Sequence, residues 1–207
     1  MRHLLFIAAA LMLVACAGNK TDDSSARSAE ATPQSVAGTP NDAAKIYTDA
    51  KFDQDKSFIV ISKKELRLYV YAVVNGDTTR IAHFPVCLSK NKGQKEKGGD
   101  MRTPESEPGK PFTIKQIQNA SDWHHDFGDG RGNILAYGDW FLRLETPFSG
   151  IGIHGSTNNE ESVPGRASEG CIRLRDADII TLKENYAYVG MPGIIKAEDQ
   201  GPLPFEK

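Results

Sequence analysis

Two residues that can do chemistry together lie in the stretch 151–175. His154 ends a short apolar run, and Cys171 follows Gly170 further along the chain. A cysteine attacks as its thiolate, so a catalytic cysteine needs a base or a cation nearby, and histidine often serves as that base. The same histidine can afterwards protonate a leaving amine. The pair therefore predicts a cysteine enzyme that transfers acyl groups.

The residues beside the pair suit such a site. Gly170 lets a substrate or another backbone approach closely, and the N–H groups around it could stabilise an oxyanion. Gly155 and Ser156 follow His154 and let its side chain face an open cleft. Arg173 could bind a carboxylate with its planar fork, or form a structural ion pair. Considered alone, a cysteine is more often a small buried apolar residue than a nucleophile, and a histidine more often has a structural role. A papain-like site is disfavoured, because there the cysteine precedes the histidine.

The elements that must position these residues are mainly strands. Residues 66–71 alternate with period two, which is typical of a half-buried strand, and Asn75 with Gly76 forms a hairpin turn signal. A helix is predicted over 177–186, with Asp176 as its N-cap. The region 56–207 is therefore predicted to form one mainly β domain, and its length of about 150 residues is sufficient for a proper core.

The region before this domain has the features of a membrane-anchored leader. Residues 1–15 carry an apolar run too short to span a bilayer, and residues 13–16 look like a bacterial lipobox that ends in Cys16. We expect a lipoprotein signal peptide, then a lipidated cysteine at the start of a flexible tether over 16–55. Ordinary secretion is the alternative.

Composition and spacing exclude several other functions. The net charge of −2 gives no reason to expect nucleic-acid binding. Three cysteines do not make a disulfide framework, and Cys87 is expected to be a buried thiol. His124 and His125 invite a metal site, but adjacent histidines on a loop rarely reach one ion, so we expect none. Trp123 in the same segment is expected to line the cleft and to pack on substrate or on the domain.

Several segments together resemble one enzyme family. The motifs at 154–156 and 168–174 are similar to the signature of the L,D-transpeptidase (YkuD-type) catalytic domain, and so are the segments 101–114 and 137–144. The resemblance covers about 58–196. It implies a mainly β, sandwich-like fold, here with one or two short helices, that holds the cysteine in a cleft.

The resemblance also implies a reaction. Cys171 would attack the carbonyl between the third residue of a peptidoglycan tetrapeptide stem, usually a diamino acid, and its terminal D-alanine. The resulting thioester would be resolved by the amine of a second stem or by water. His154 would be the base, Ser156 or a nearby backbone carbonyl would orient it, and Ser168 would shape the cysteine loop. Tyr137 would contact the substrate, and no metal or organic cofactor is implied.

One position departs from the family pattern. Many members have histidine where this chain has Glu169. A carboxylate beside the nucleophile would raise the pKa of the thiol by like-charge repulsion, which Arg173 could offset. Alternatively, Glu169 could recognise the amine of a diamino-acid side chain, a hypothesis that unchanged kinetics of a Glu169→Gln enzyme on amine-bearing stems would contradict.

Three functions remain open at this point. The first is an L,D-transpeptidase that forms cross-links, and the second is an L,D-carboxypeptidase or endopeptidase that hydrolyses the same bond. The third, of another class, is a catalytically silent lipoprotein that binds the wall. In each case we expect a cell-envelope protein that is lipid-anchored in the periplasm. Because Ala17 rather than aspartate follows Cys16, we expect the outer membrane.

Overall fold

The computed structural model describes residues 43–47 and 51–206 of the 207-residue chain. The predicted signal peptide, Cys16 and most of the predicted tether lie outside these residues. Within the described part, no helix is long and apolar enough to span a membrane.

Thirteen short strands supply most of the regular secondary structure of the described chain. They are β1 (Lys45–Ile46), β2 (Phe58–Ser62), β3 (Arg67–Val74), β4 (Asp77–Pro85), β5 (Cys87–Ser89), β6 (Phe112–Asn119), β7 (His124–Asp126), β8 (Asn133–Leu135), β9 (Trp140–Glu145), β10 (Gly152–His154), β11 (Gly165–Ser168), β12 (Ile172–Arg173) and β13 (Pro192–Lys196).

Eleven of these strands form one hydrogen-bonded sheet in the order β1-β4-β3-β2-β13-β6-β9-β10-β12-β5-β11, and β7 pairs with β8 separately. Three contacts in the large sheet are parallel, namely β2 with β13, β10 with β12 and β5 with β11. One buried cluster draws side chains from both ends of this order, from Ile81 on β4 to Leu88 on β5. The sheet therefore curves around one main core, and the predicted mainly β architecture is confirmed.

The hairpin between β3 and β4 forms at the predicted turn. Asn75 has φ 54° and Gly76 has φ 92°. Positive φ at both central positions matches the twist of the flanking strands, which is why Asn-Gly favours this turn.

Strand β3 itself differs from the prediction of a half-buried strand, because residues 68–72 are all buried. One face of β3 packs in the main core, whereas Tyr69 and Tyr71 lie on the opposite face. There they pack with Leu203 and Phe205 from the C-terminal segment. The period-two pattern does not reveal this cover, since it comes from a segment far away in the chain.

One α-helix occurs in the described part, α1 (Asp176–Asn185), and it follows the predicted range of 177–186 closely. The predicted N-cap is wrong by one position. Arg175 occupies the cap without a side-chain hydrogen bond, and Asp176 is the first helical residue. The Asp176 carboxylate instead accepts hydrogen bonds from the loop after β10.

The sheet begins before residue 56. Strand β1 lies within the range predicted as tether and pairs antiparallel with β4. Next to it, the Tyr47 hydroxyl lies 2.6 Å from Nδ1 of His83.

Candidate active site

Cys171 lies in the short loop that joins β11 to β12. The Ser168 hydroxyl donates a hydrogen bond to the Cys171 carbonyl (2.6 Å) and accepts one from the Gly170 N–H (3.3 Å). Ser168 thus holds the backbone of the loop on both sides of the bend. The Gly170 N–H, one of the predicted oxyanion donors, is therefore engaged inside the loop.

Glycine is required at position 170. Its φ of 145° is rarely adopted by other residues, and a Cβ there would lie 3.1 Å from the Arg102 carbonyl oxygen and 3.2 Å from Ile151. The cysteine loop consequently packs closely on the segment around Arg102. This close approach couples the position of Cys171 to that segment.

His154 ends β10 in the middle of the sheet, between β9 and β12. Its imidazole is buried, stacks on Phe141 with an interplanar angle of 8°, and lies 4.8 Å from the Tyr137 ring. Nδ1 is 2.6 Å from the Gly155 carbonyl oxygen. Because a carbonyl only accepts, Nδ1 carries the proton and Nε2 of the neutral ring is free to accept one.

The loop after His154 is fixed by α1. Asp176 accepts a hydrogen bond from the Ser156 N–H and another from the Thr157 hydroxyl, both at 2.6 Å. Gly155 allows this contact, since a Cβ there would lie 2.4 Å from the Asp176 carboxylate. Of the two groups predicted to orient the imidazole, a backbone carbonyl, that of Gly155, bonds it, and the Ser156 side chain does not. Within the described structure, the buried Ser156 hydroxyl has no hydrogen-bond partner.

Both members of the pair are uncharged at rest. Burial, and after it the positive charge of Arg173, lowers the pKa of His154 to about 3. Burial raises the pKa of the Cys171 thiol above its ordinary value, although nearby cations, Arg173 first among them, oppose the shift. The thiol donates a hydrogen bond to the Gly150 carbonyl (3.2 Å). The site thus holds a neutral thiol and a neutral imidazole rather than a preformed ion pair.

Two cavities flank Cys171. The first has a volume of about 220 Å³, and its lining includes His154, Glu169 and Arg173. The second has a volume of about 440 Å³, and Trp123 is part of its aromatic lining. Three residues line both cavities, namely Tyr137, Gly150 and Cys171. The thiol can therefore be approached from two sides.

Arg173 lies on β12, paired with His154 of β10 in the parallel register. Its side chain is buried, donates to the Ser162 hydroxyl (2.9 Å) and lies over the Phe127 ring at 5.4 Å. Its Nε has no hydrogen-bond partner among the described residues. The guanidinium predicted to bind a substrate carboxylate is thus partly committed to the protein.

Glu169 meets a histidine from a different part of the chain. Nε2 of His125, on β7, lies 3.5 Å from the Glu169 carboxylate, and both residues line the first cavity. The neighbouring His124 lines the second cavity. Successive side chains of a strand point to opposite sides, which explains why these adjacent histidines do not converge. Among the described residues, no group of three or more His, Cys, Asp or Glu side chains could hold a metal ion.

Sequence reasoning missed a buried lysine that supports the cysteine loop. Lys63 is fully buried, and its ammonium donates to the carbonyls of Gly93 (2.7 Å) and Thr103 (3.1 Å) and to Glu105 (2.6 Å). These bonds fix the segment that supplies Lys95 to the first cavity. In the sequence, a lysine followed by Lys64 reads as a solvated pair, so no local signal identifies it.

The other cysteine in the described part of the chain, Cys87, behaves as expected. Cys87 on β5 is fully buried. Its sulfur accepts a hydrogen bond from the Ala167 N–H (3.2 Å) on β11.

One family model and several solved structures match this chain. A family model described as the YkuD L,D-transpeptidase catalytic domain matches residues 56–195. A search of curated proteins found no match. Among solved structures, a mutant of the helical cell shape determining protein Pgp2 from Campylobacter jejuni aligns with a TM-score of 0.51 and 16% identity. That alignment covers 77% of this chain and 51% of the other.

Two further structures give lower TM-scores. Bd1075 from Bdellovibrio bacteriovorus has a TM-score of 0.48 and 21% identity, covering 70% of this chain and 48% of that one. An L,D-transpeptidase from Mycobacterium smegmatis has a TM-score of 0.48 and 19% identity, covering 69% of this chain and 59% of that one. The chain thus spans about half of the length of these proteins, and the likeness to Pgp2 concerns the fold alone.

Proposed function

Because the chain belongs to the family of YkuD L,D-transpeptidase catalytic domains, we propose that it is a cysteine acyltransferase that acts on peptidoglycan stem peptides. Its donor is a tetrapeptide stem, from which it releases the terminal D-alanine. The observation that carries this proposal is that Cys171 and His154 line one cavity, with Nδ1 of His154 tied to a carbonyl and Nε2 left to accept a proton.

The neutral state of both groups suggests how the first step proceeds. Cys171 Sγ attacks the carbonyl carbon of the third stem residue while its proton passes to Nε2 of His154. The tetrahedral intermediate collapses when the imidazolium returns that proton to the nitrogen of the departing D-alanine. A thioester to Cys171 remains, and His154 is neutral again. The low pKa of the buried imidazole makes the imidazolium a strong acid for this return step and makes the neutral ring a weak base, so the thiol proton is transferred as the sulfur–carbon bond forms and not beforehand.

The second step decides the product. An amine from another stem, or water, attacks the thioester carbon and gives its proton to His154, and the thiolate leaves and is reprotonated. An amine yields a cross-link and water yields a shortened stem. The presence of two cavities beside Cys171 supports transfer, because an acceptor can reach the thioester from the side opposite the bound acyl chain.

Intact-mass measurement after incubation with a carbapenem tests the acylation step. We expect one covalent adduct on the wild-type protein, none on Cys171→Ala, and about a thousandfold slower adduct formation on His154→Ala. D-Alanine release from a disaccharide-tetrapeptide, with and without an amine acceptor, then separates transfer from hydrolysis. No adduct on the wild type, or an adduct that survives Cys171→Ala, would leave the silent wall-binding lipoprotein as the better account.

Location in the envelope is part of the same proposal. Lipidation at Cys16 would hold the enzyme at a membrane. We propose that it is anchored in the outer membrane and faces the periplasm. The support is the sequence at residues 13–17. Fractionation of cells that express the wild type or Cys16→Ala tests it, since a variant that stays in the membrane fraction contradicts anchoring through this residue.

A further inference from the structure

The first cavity contains a charge that the reaction of Cys171 and His154 does not use. Glu169 is the only carboxylate among the described residues that line it. Its side chain is 37% exposed, so a ligand can reach it from the cavity. Since it lies two residues before the nucleophile, anything bound to it lies close to the reacting atoms.

The Glu169 carboxylate has a neighbour that can position it. Nε2 of His125 lies 3.5 Å from Oε2 of Glu169. The His125 ring in turn makes an edge-on contact with Phe127, with ring centroids 4.5 Å apart. We therefore assign His125 as the positioning residue for Glu169.

The cations of the first cavity already have partners of their own. The Lys95 ammonium lies 2.7 Å from Asp100, and the Arg173 guanidinium donates to Ser162 and lies over Phe127. Neither is paired with Glu169 in the described structure. The carboxylate can thus accept a further cation from a ligand.

The two cavities differ in the charged group that a ligand can still pair with. The described lining of the second cavity has no carboxylate and includes Arg143, whose guanidinium lies over the Phe141 ring at 4.9 Å. In the first cavity Lys95 and Arg173 already have partners, which leaves the Glu169 carboxylate to pair with a ligand. This difference favours the carboxylate of the leaving D-alanine in the second cavity and an amine-bearing acyl half of the donor in the first.

From this arrangement we propose that Glu169, positioned by His125, binds the ammonium group on the side chain of the third residue of the donor stem. Glu169 thereby selects stems that carry a free amine at that residue. The inference rests on the proposed function, since it concerns the donor of the same acyl transfer. It assigns specificity to the one signature position where this chain departs from the family pattern.

Two donors that differ in a single group test the proposal. They are disaccharide-tetrapeptides with a diamino acid at the third position, one with the side-chain amine free and one with it acetylated. We expect the wild type to release D-alanine from the free-amine donor with about tenfold higher kcat/KM, corresponding to about 1.4 kcal/mol. Glu169→Gln should bring this ratio to about one, and His125→Gln should lower it to about threefold.

The ratio of the two donors separates recognition from general damage. Removing the Glu169 charge also changes the environment of the thiol, but that change acts on both donors and cancels in the ratio. Glu107→Gln, which removes an exposed carboxylate paired with Lys110 outside both cavities, should keep the wild-type ratio. A wild-type ratio of one, or an unchanged ratio in Glu169→Gln, overturns the proposal while carbapenem adduct formation at Cys171 persists. Loss of both the adduct and D-alanine release in the wild type overturns the proposed function as well.

Discussion

His154 and Cys171 are held by different kinds of interaction. His154 lies on a strand inside the sheet, is buried among aromatic rings, and bonds the carbonyl of the next residue. Cys171 lies in a loop whose shape depends on Ser168 and on close packing against the segment at Arg102. The base is thus positioned by the core, whereas the nucleophile is positioned by polar contacts between loops.

The polar support of the cysteine side extends far from the site. Lys63 bonds three groups of the segment 93–105, and Arg166 on β11 donates to the Lys63 carbonyl (2.7 Å) and to Glu198 (3.0 Å). The Lys90 N–H in turn donates to the Ser168 carbonyl (2.9 Å). A change on this side should therefore affect the nucleophile without moving the base.

Among the substitutions that test this difference between the supports of His154 and Cys171, Lys63→Met should have the largest effect. Removing the buried ammonium leaves two carbonyls and the Glu105 carboxylate without their donor, so the free energy of unfolding should fall by about 3 kcal/mol. Acylation of Cys171 should slow, while the environment of His154 stays the same. Urea denaturation and carbapenem acylation rates measure the two effects.

Lys64→Met is the matched control, because Lys64 is the next residue and is exposed. Its free energy of unfolding should stay within about 0.5 kcal/mol of the wild type. Equal stability losses in the two variants would show that Lys63 does not support the loop through its buried hydrogen bonds.

Asp176→Asn should affect the part of the site that positions the base, His154. One carboxylate accepts from both the Ser156 N–H and the Thr157 hydroxyl, and an amide offers only one oxygen in its place. We expect a loss of about 2 kcal/mol in the free energy of unfolding. Turnover should fall about tenfold because the loop after His154 shifts.

The kinetic constants of the Asp176→Asn enzyme show whether the base has been displaced. If His154 is displaced, the Asp176→Asn enzyme loses proton transfer, and its kcat falls with little change in KM. A variant with full kcat and lower stability would mean that the bonds of Asp176 stabilise α1 without positioning the base.

The base side was largely predictable from sequence because its determinants are local in the chain. The run that ends at His154 predicts the strand, and the helix after residue 175 is confirmed nearly at its predicted bounds. What sequence alone missed here is the contact that Asp176 makes, since an acid at the start of a helix is usually read as a cap.

The cysteine side was less predictable because its contacts are distant in sequence. Cys171 itself is identifiable from its motif, but the Lys63 bonds join residues 30 to 42 positions apart. The segment around Trp123 was expected to line the cleft, but nothing in the His124–Asp126 stretch predicts that His125 lies beside Glu169. Pairings between separate loops depend on the tertiary structure rather than on local pattern.

Asp178→Asn should change the free energy of unfolding least. It compares two carboxylates of the same helix, Asp176 and Asp178. Asp178 and Asp176 both lie in the first turn, but Oδ2 of Asp178 is buried without a hydrogen-bond partner in the described part of the chain. Burial raises the pKa of Asp178 from 3.8 to about 6. Between these values the folded protein binds more protons than the unfolded chain, so this group lowers the free energy of unfolding as the pH rises through that window.

The variant should therefore be more stable than the wild type at pH 7, by about 1 kcal/mol, and the difference should vanish near pH 4. Urea denaturation at pH 4, 5 and 7 measures it. The opposite sign from Asp176→Asn is expected because both oxygens of Asp176 accept hydrogen bonds, whereas Oδ2 of Asp178 is buried without one. A variant that is less stable at pH 7 would mean that the charge of Asp178 stabilises the start of the helix more than its burial destabilises it.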